Sequence, residues 1–471
     1  MSRNNIWAHL TIALALILIA AFAGGVRQWK SRLHRSSQLA SHPELRPDDQ
    51  ESKANEQDNT EKAEVLVRFR PATTRETIDR ITAQFNDEVE DRIESVDGLD
   101  VIEDEDGKSA DDVVAQYRAL PEVEYAEANS TITLDHEDAG RKHVHADDEM
   151  FSRQWGLAND GENGGKAGAD ISAMRAWAVT RGSEQVVVAV LDSGVDYTHP
   201  DLVNNIWTRP EIIKAYHDDD LTSADGIDDE HGFNVVADNG DPMDDNGHGT
   251  HCAGIIGAEG GNGIGIAGVN WNVKIMPLRF MNGDGTGTTK DAIEAINYVI
   301  DRKHAGVNVR IISASWGSTA RSRALEDVIR QAYNEGILFV AAAGNAGSDN
   351  DQTPHYPSSY NLGNVVSVAA LNRNDQLASF SNYGAKSVNV GAPGEEILST
   401  WLEHGFAEKK GTSMATPFVA GVAALILSQN PKMSVDDLRT RLLKSVDPLL
   451  SLKGKVSSGG RINAAKAVGA D

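Results

Sequence analysis

The chain of 471 residues has one cysteine, Cys252. A single thiol excludes an intramolecular disulfide framework and leaves the redox compartment undetermined. Positive charge is also scarce: 44 Lys and Arg stand against 70 Asp and Glu, a formal charge of −26. That balance argues against nonspecific association with nucleic acid or with an anionic membrane surface. It is compatible with salt tolerance, cation binding or simple solubility. No internal repeat is found. With 40% hydrophobic residues, 24% charged and 43 Gly, the composition is globular, neither collagenous nor disordered. The length suits two or three domains at about 100–200 residues each.

The N-terminus carries "IWAHLTIALALILIAAFAGGV", uncharged from Leu10 through Val26 and followed by Arg27, Lys30, Arg32 and Arg35. An A-x-A pattern at Ala21 and Ala23 suits cleavage of an export signal before Gly24. The length approaches that of a membrane span, and the basic residues after it resist export. Residues 1–26 are therefore expected to be a signal peptide of a secreted or cell-envelope protein. The alternative is an anchor formed by residues 6–26, and only in that case would a membrane be a partner.

Residues 27–62 read as a polar linker. From residue 63 to 134 a compact unit follows: "EVLVRF", "TRETIDRITAQF", "VEDRIESVDGLDVIED", "SADDVVAQYRALPEV" and "EYAEANSTITL". These predict a β-α-β-β-α-β, ferredoxin-like α+β unit with one final strand. Residues 135–150 read as a second linker. Residues 151–471 alternate apolar strands, such as "QVVVAVLD" and "GILFVAAAGN", with helical segments. Strands so uniformly apolar are buried on both faces, which predicts a parallel α/β sheet flanked by helices. Ligands gather beyond the carboxyl ends of such strands.

Three chemistry-bearing residues belong where those ends converge. Asp192 terminates "VVVAVLD", His248 lies in "DDNGHGTHCAGIIG", and Ser413 lies in "GTSMATP" before a long apolar helix. A serine hydroxyl becomes a good nucleophile when an imidazole takes its proton, and a buried carboxylate fixes the imidazole tautomer. Each residue also has a plainer reading. Asp192 could cap a turn, Ser413 could be a helix N-cap, and His248 with His251 beside Cys252 could ligate a metal. No fourth ligand at zinc-like spacing accompanies that pair.

"VLDSGVDYTHPDL", "DDNGHGTHCAGIIGA" and "GTSMATPFVAGVAAL" resemble the Asp, His and Ser blocks of the subtilases, in that chain order and over about residues 150–470. The resemblance implies a subtilisin-like serine endopeptidase acting on proteins or peptides, with Ser413 as nucleophile, His248 as general base and acid, and Asp192 orienting it. "AAAGNAG" implies Asn345 as the oxyanion donor, its plainer reading being a left-handed turn residue after Gly344. "GDGTG", with Gly285 and Gly287, and "ASWGS", with Ser315, Trp316 and Gly317, resemble segments that grip an extended substrate by strand addition.

The pocket walls, Ser315 to Gly317 with Ala343 and Gly344, offer glycine and alanine surface and no acid. They imply a preference for apolar or aromatic side chains, which His355, near the family's pocket floor, could disturb. Structural calcium is implied at Asp201 with Asn262 and the carbonyls of Ile264 and Ile266. One extra residue in that loop sets Glu259 apart from the pattern. The stretch from Glu211 to Asp245 holds twelve acidic residues and one lysine, a solvated face or a second cation site. The unit at 63–134 is similar to subtilase prodomains, implying a zymogen inhibited by its own prodomain and processed between Asn129 and Met150. Two other functions fit parts of the pattern: a noncatalytic subtilase-like binding module, and a metallohydrolase using His248 and His251.

Overall fold

The computed structural model describes residues 62–134, 148–161, 164–217 and 226–470. The expected leader, nearly all of the first linker and most of the second lie outside the described residues. In the N-terminal unit, β1 (Glu64–Phe69), α1 (Arg75–Phe85), β2 (Asp87–Arg92), β3 (Leu99–Asp104), α2 (Ala110–Arg118) and β4 (Val123–Ala128) follow in the predicted order. The strands form an antiparallel sheet ordered β2-β3-β1-β4. Strand alternation divides its faces. Val65, Val67 and Phe69 pack with Ile78, Ile81, Val113 and Tyr117 of the helices. Leu66, Leu99 and Val101 turn the other way, into the core of the larger domain. Thr74 starts α1 by accepting the Thr77 N–H, and Asn86 ends it at φ 60°.

The predicted last strand divides in two. After Ala128 the chain turns at Asn129 and Ser130, and β5 (Thr131–Leu134) leaves the small sheet. The turn is held because it satisfies orphan N–H groups of a neighbouring helix. Asn129 Oδ1 accepts the Lys290 N–H (2.9 Å), and the Ser130 carbonyl accepts the Thr289 N–H (2.7 Å).

The larger domain contains α3 (Ala173–Trp177), β6 (Gly182–Asp192), β7 (Phe233–Asn234), α4 (His248–Gly257), β8 (Asn272–Arg279), β9 (Thr286–Thr288) and α5 (Thr289–His304). It continues with β10 (Val309–Ala314), β11 (Trp316–Gly317), α6 (Arg323–Asn334), β12 (Leu338–Ala342), β13 (Val365–Leu371) and β14 (Val390–Pro393). The hairpin β15 (Ile397–Trp401) and β16 (Gly405–Lys409), then α7 (Thr412–Gln429), α8 (Val435–Lys444), β17 (Val446–Pro448), β18 (Gly460–Ile462) and α9 (Ala464–Val468), complete it. Nine strands form one sheet, ordered β17-β18-β14-β13-β12-β10-β6-β8-β7. Every neighbouring pair is parallel except β17 with β18. Alternate residues of β6 again divide two cores. Val186, Val188 and Val190 join α4, α7 and α8 on one side, and Val187, Ala189 and Leu191 join α5 and α6 on the other.

Helix α7 is apolar all round, as a helix buried on every side must be. Its length and hydropathy would suffice to cross a membrane, but 89% of it is buried against the sheet. Gly411, with no side-chain bond, occupies its N-cap position, so Ser413 lies inside the first turn and the N-cap reading of Ser413 does not hold. Substituting Leu425→Ala, fully buried in this helix, removes packing that cannot refill, at a cost of about 2–5 kcal/mol. The expected outcome is a lower urea midpoint for the variant in equilibrium unfolding.

Candidate active site

Parallel order places the end of β6 beside the start of α4. Asp192, the last residue of β6, and His248, the first of α4, are both buried, and Asp192 Oδ1 lies 2.7 Å from His248 Nδ1. The same oxygen accepts the Ser193 N–H at 2.8 Å. The approach needs glycine next to the histidine: a Cβ at Gly249 would overlap the Gly194 carbonyl and stand 3.0 Å from Asp192 Cβ. Burial pulls the His248 pKa down, but the Asp192 charge and its hydrogen bond outweigh burial and hold it well above the ordinary imidazole value.

A second carboxylate builds this junction, one that sequence reasoning counted only within the acidic run. Asp244 is buried. Its Oδ1 accepts from Ser193 Oγ (2.9 Å) and from the N–H groups of Asn246 (3.0 Å) and Gly247 (2.9 Å). Its Oδ2 accepts from the N–H and hydroxyl of Thr250, at 3.0 and 2.6 Å. Ser193 Oγ in turn accepts the Gly249 N–H at 3.0 Å. Asp244 thus ties the first turn of α4 to the end of β6, an acid at a helix N-terminus where the backbone favours negative charge. A signal was present: an aspartate four residues before a helix-opening histidine that is followed by Gly-Thr.

Ser413 is fixed by a missing donor. In an α-helix its carbonyl would accept the N–H of residue 417, but Pro417 has none. Two side chains take that role: Ser315 Oγ donates at 2.9 Å and Cys252 Sγ at 3.6 Å. Ser413 Oγ donates to the Ser315 carbonyl at 2.8 Å. Cys252 Sγ is also 4.0 Å from His248 Nδ1, so serine, thiol and imidazole share one buried neighbourhood. Burial pushes the thiol pKa up, keeping it a neutral packing group. Asn345 Oδ1 accepts from the Thr412 N–H (2.9 Å) and hydroxyl (3.0 Å), which sets the amide beside the first turn of α7. The left-handed residue of that turn is Gly344, at φ 103°, and not Asn345.

The two expected grip segments enclose β5. In the sheet β11-β5-β9, Trp316 pairs with Leu134 and Gly317 with Thr133, while Ile132 pairs with Gly287. The Leu134 N–H reaches the Gly285 carbonyl at 3.2 Å. Ser315, Ala343 and Gly344 lie alongside, all buried. His251 is turned away from His248: its Nε2 meets the carbonyls of Ile397 (3.0 Å) and Ala407 (3.1 Å), bracing the β15–β16 hairpin. Burial, with the charge of His248 nearby, pulls its pKa down to about 3. The two histidines do not form one metal site.

The expected cation loop wraps Asp201, which is fully buried. Asn262 Nδ2 reaches Asp201 Oδ1 at 2.9 Å, the Ile266 N–H reaches Oδ2 at 3.0 Å, and the Ile264 N–H reaches Asn262 Oδ1 at 2.7 Å. Glu259 is engaged elsewhere, accepting from Asn204 Nδ2 at 2.7 Å. Within the acidic run, Asp229 pairs with Arg209 (2.9 Å) and Arg302 (3.0 Å), Asp245 with Arg279 (2.8 Å), and Asp241 accepts from the Tyr197 hydroxyl (2.9 Å). These acids serve the fold. Residues 218–225 lie outside the described residues.

A parallel α/β sheet carrying a buried carboxylate–imidazole couple beside a helix-start serine is the architecture of a subtilisin-like serine protease. Comparison with family models matches residues 183–467 to the Subtilase family and residues 46–129 to the Fervidolysin N-terminal prodomain. The chain belongs to the subtilase family. It is similar to the Thermophilic serine proteinase of Bacillus sp. (strain AK1), 41% identical over 62% of this chain and 64% of that protein. It is also similar to Thermitase of Thermoactinomyces vulgaris, 36% identical over 63% of this chain and 93% of that protein. With the Cell wall-associated protease of Bacillus subtilis (strain 168) it shares 36% identity over 64% of this chain and 30% of that protein. The chain thus spans just under two thirds of the first of these relatives.

Turnover that needs neutral His248 rises with pH through the pKa of His248, which lies above the ordinary imidazole value. Substituting Asp192→Asn removes the charge that raises it and releases the tautomer. The expected outcome is a loss on the order of 10⁴-fold in kcat with the acid limb of the kcat/KM profile moved to lower pH, measured with a chromogenic peptide.

Proposed function

We propose that the chain is a serine endopeptidase made as a zymogen. Ser413 attacks the scissile carbonyl, His248 accepts the Oγ proton and delivers it to the leaving amine, and Asp192 holds the imidazole and stabilises its charged form. Water then resolves the acyl-enzyme by the same groups. Asn345 Nδ2 and the Ser413 N–H are the proposed donors to the developing oxyanion, and removing one such donor costs roughly 100–1000-fold in turnover. The observation that carries this reading is β5: a stretch of the chain's own N-terminal unit lies as the middle strand between β9 and β11 and leads an extended peptide toward Ser413.

The same strand supports intramolecular inhibition by a prodomain at about residues 63–134, with processing in 135–150 and a catalytic domain from 151 to 471. The prodomain is held over the starts of two helices. Glu127 accepts from the Arg323 (2.9 Å) and Ala324 (3.2 Å) N–H groups and from Ser322 Oγ at the start of α6. Tyr125 lies under the Arg323 guanidinium at 4.2 Å, and its hydroxyl and Arg68 both reach Asp327, at 3.0 and 2.6 Å. Substrates are proteins or peptides bound extended. Export to the medium or cell envelope is the proposed location, with anchoring by residues 6–26 the alternative. The similarity to a cell wall-associated protease supports the former. A serine-directed phosphonate is expected to label the processed protein covalently, and Ser413→Ala to abolish labelling. Labelling that persists in the variant, or is absent from the parent, would favour a noncatalytic module.

Calcium is the proposed structural cofactor. Asp201, the Asn262 amide oxygen and the carbonyls of Ile264 and Ile266 would supply oxygen donors beside a buried carboxylate, the chemistry a hard cation needs, with the Asn262 amide turning its oxygen in place of the Nδ2 that now meets Asp201. Bound there, the ion would clamp the loop and stabilise the folded chain by mass action, about 2.7 kcal/mol at one hundred times Kd. Chelator is expected to accelerate thermal inactivation, and added calcium to reverse the effect in the parent but not in Asp201→Ala. An unchanged inactivation rate would remove the calcium assignment.

A further inference from the structure

We propose that a buried acid pair, Asp87 and Asp104, makes the fold of the N-terminal unit loosen as pH rises, so that the unit stays closed over the larger domain in acid and is released above the carboxylate range. The proposal rests on the zymogen reading above.

Strand β2 opens on an acid and β3 closes on one, and their register opposes Asp87 to Asp104 and then Glu88 to Glu103. Like charges directly opposite one another destabilise a strand pair. Glu88 is exposed and Glu103 pairs with Lys62, so water and a lysine screen the second pair. The first lacks that relief. Asp104 is fully buried and Asp87 is 8% exposed. Val89 and Ile102, two residues along each strand, pack with α1 and α2, so alternation sets both aspartates on that covered face. Tyr117 of α2 stands over them. Its hydroxyl donates to Asp87 Oδ2 at 2.8 Å, and its ring lies between Phe69 and Phe85, with centroids 6.5 and 5.4 Å away. Asp87 Oδ1 is buried and meets no donor among the described residues. The two carboxyl groups lie within hydrogen-bonding reach of each other.

Neighbouring charges do not cancel the pair. Lys108, in the loop after β3, gives its backbone N–H to Asp104 Oδ2 at 2.7 Å, and its ammonium lies 3.4 Å from Asp104 Oδ1. That ammonium is closer to Asp106, at 2.9 Å, and also meets the Phe85 carbonyl at 3.2 Å. Asn86, at the end of α1, gives its amide to Asp106 at 2.7 Å. One lysine thus serves three carboxylates. A proton held between Asp87 and Asp104 removes one negative charge and supplies the donor that two facing acceptors need. Burial and the Asp104 charge accordingly push the Asp87 carboxyl above the usual range, against the pull of the Tyr117 hydroxyl and Lys108.

A proton bound more tightly by the folded chain than by the unfolded one stabilises the fold in acid. As pH climbs through the raised value the proton is lost, two charges face each other out of water, and the stability of the unit falls. A rise of one pH unit in the titration of the folded pair changes the ratio of folded to open unit about ten-fold. Turnover that needs neutral His248 rises with pH as well, so release and catalysis are favoured together.

The test follows hydrogen exchange by mass spectrometry in the full chain carrying Ser413→Ala, from about pH 5 to about pH 8, with rates corrected for the intrinsic effect of pH. Expected is a fall of about ten-fold or more in the protection of β1 to β4, α1 and α2 across that range, with β10 and β12 of the larger domain changed less. Asp87→Asn is expected to remove most of the fall, because its amide donates to Asp104 at every pH while its oxygen still accepts from Tyr117. Asp104→Asn is expected to act in the same direction. In the chain with Ser413 intact, the cleaved N-terminal fragment is expected to co-elute with the larger domain in acid and to separate as pH rises, and Asp87→Asn to delay the separation. Protection that does not fall with pH in the parent, a fall that persists in both variants, or a fragment that separates equally at every pH overturns the proposal. A chain with Ser413 intact that yields no fragment at any pH overturns the zymogen reading instead, and the exchange comparison still decides the role of the pair. Should both variants fail to fold, the parent exchange profile and the elution of its fragment decide it.

Discussion

Two buried groups of opposite tendency, a carboxylate and an imidazole, are held 2.7 Å apart where no water can screen them, and much of the surrounding structure serves that separation. Inside a protein such a pair is strong when aligned and costly when it is not. The Asp192–His248 contact therefore has to be set by elements stiffer than either side chain. The end of a central parallel strand supplies one fixed point and the first turn of α4 the other. Asp244 joins them by accepting hydrogen bonds from both, and Gly249 removes the atoms that would keep them apart.

The serine is placed by a different device. Pro417 leaves the Ser413 carbonyl without its helical donor, and Ser315 and Cys252 fill the place. Ser315 immediately precedes the strand that grips β5. One bond thus links the start of α7 to the wall of the cleft, so Ser413 and the β5 strand share a support. The N-terminal unit exploits this: it satisfies the open starts of α5 and α6 with Asn129, Ser130 and Glu127 and extends β5 into the cleft. A large parallel sheet forms slowly from distant contacts, and a small, locally connected unit that engages two helix starts is a physically suitable template for it.

The sequence was legible where the requirement is local. A strand-ending aspartate, a glycine-flanked histidine and a serine before an apolar helix could be read because each motif must satisfy its own backbone, and the β-α-β-β-α-β order because periodicity changes with each element. What escaped had a nonlocal cause. Asp244 looked like one acid among twelve because its partners lie on two elements. His251 looked like a partner for His248 because i and i+3 residues neighbour one another on a helix, yet the β15–β16 carbonyls claim it. The break in the last prodomain strand followed from the N–H groups of α5, some 160 residues away in the chain.

Residue chemistry, chain order and the apolar character of the strands were determined by the sequence alone, because each is a property of short segments. Which strands enclose β5, which carbonyl receives the Ser413 hydroxyl and which acid braces His248 were decided only by tertiary structure. Those choices depend on register between segments far apart in the chain, and a shift of one residue would send every side chain to the opposite face.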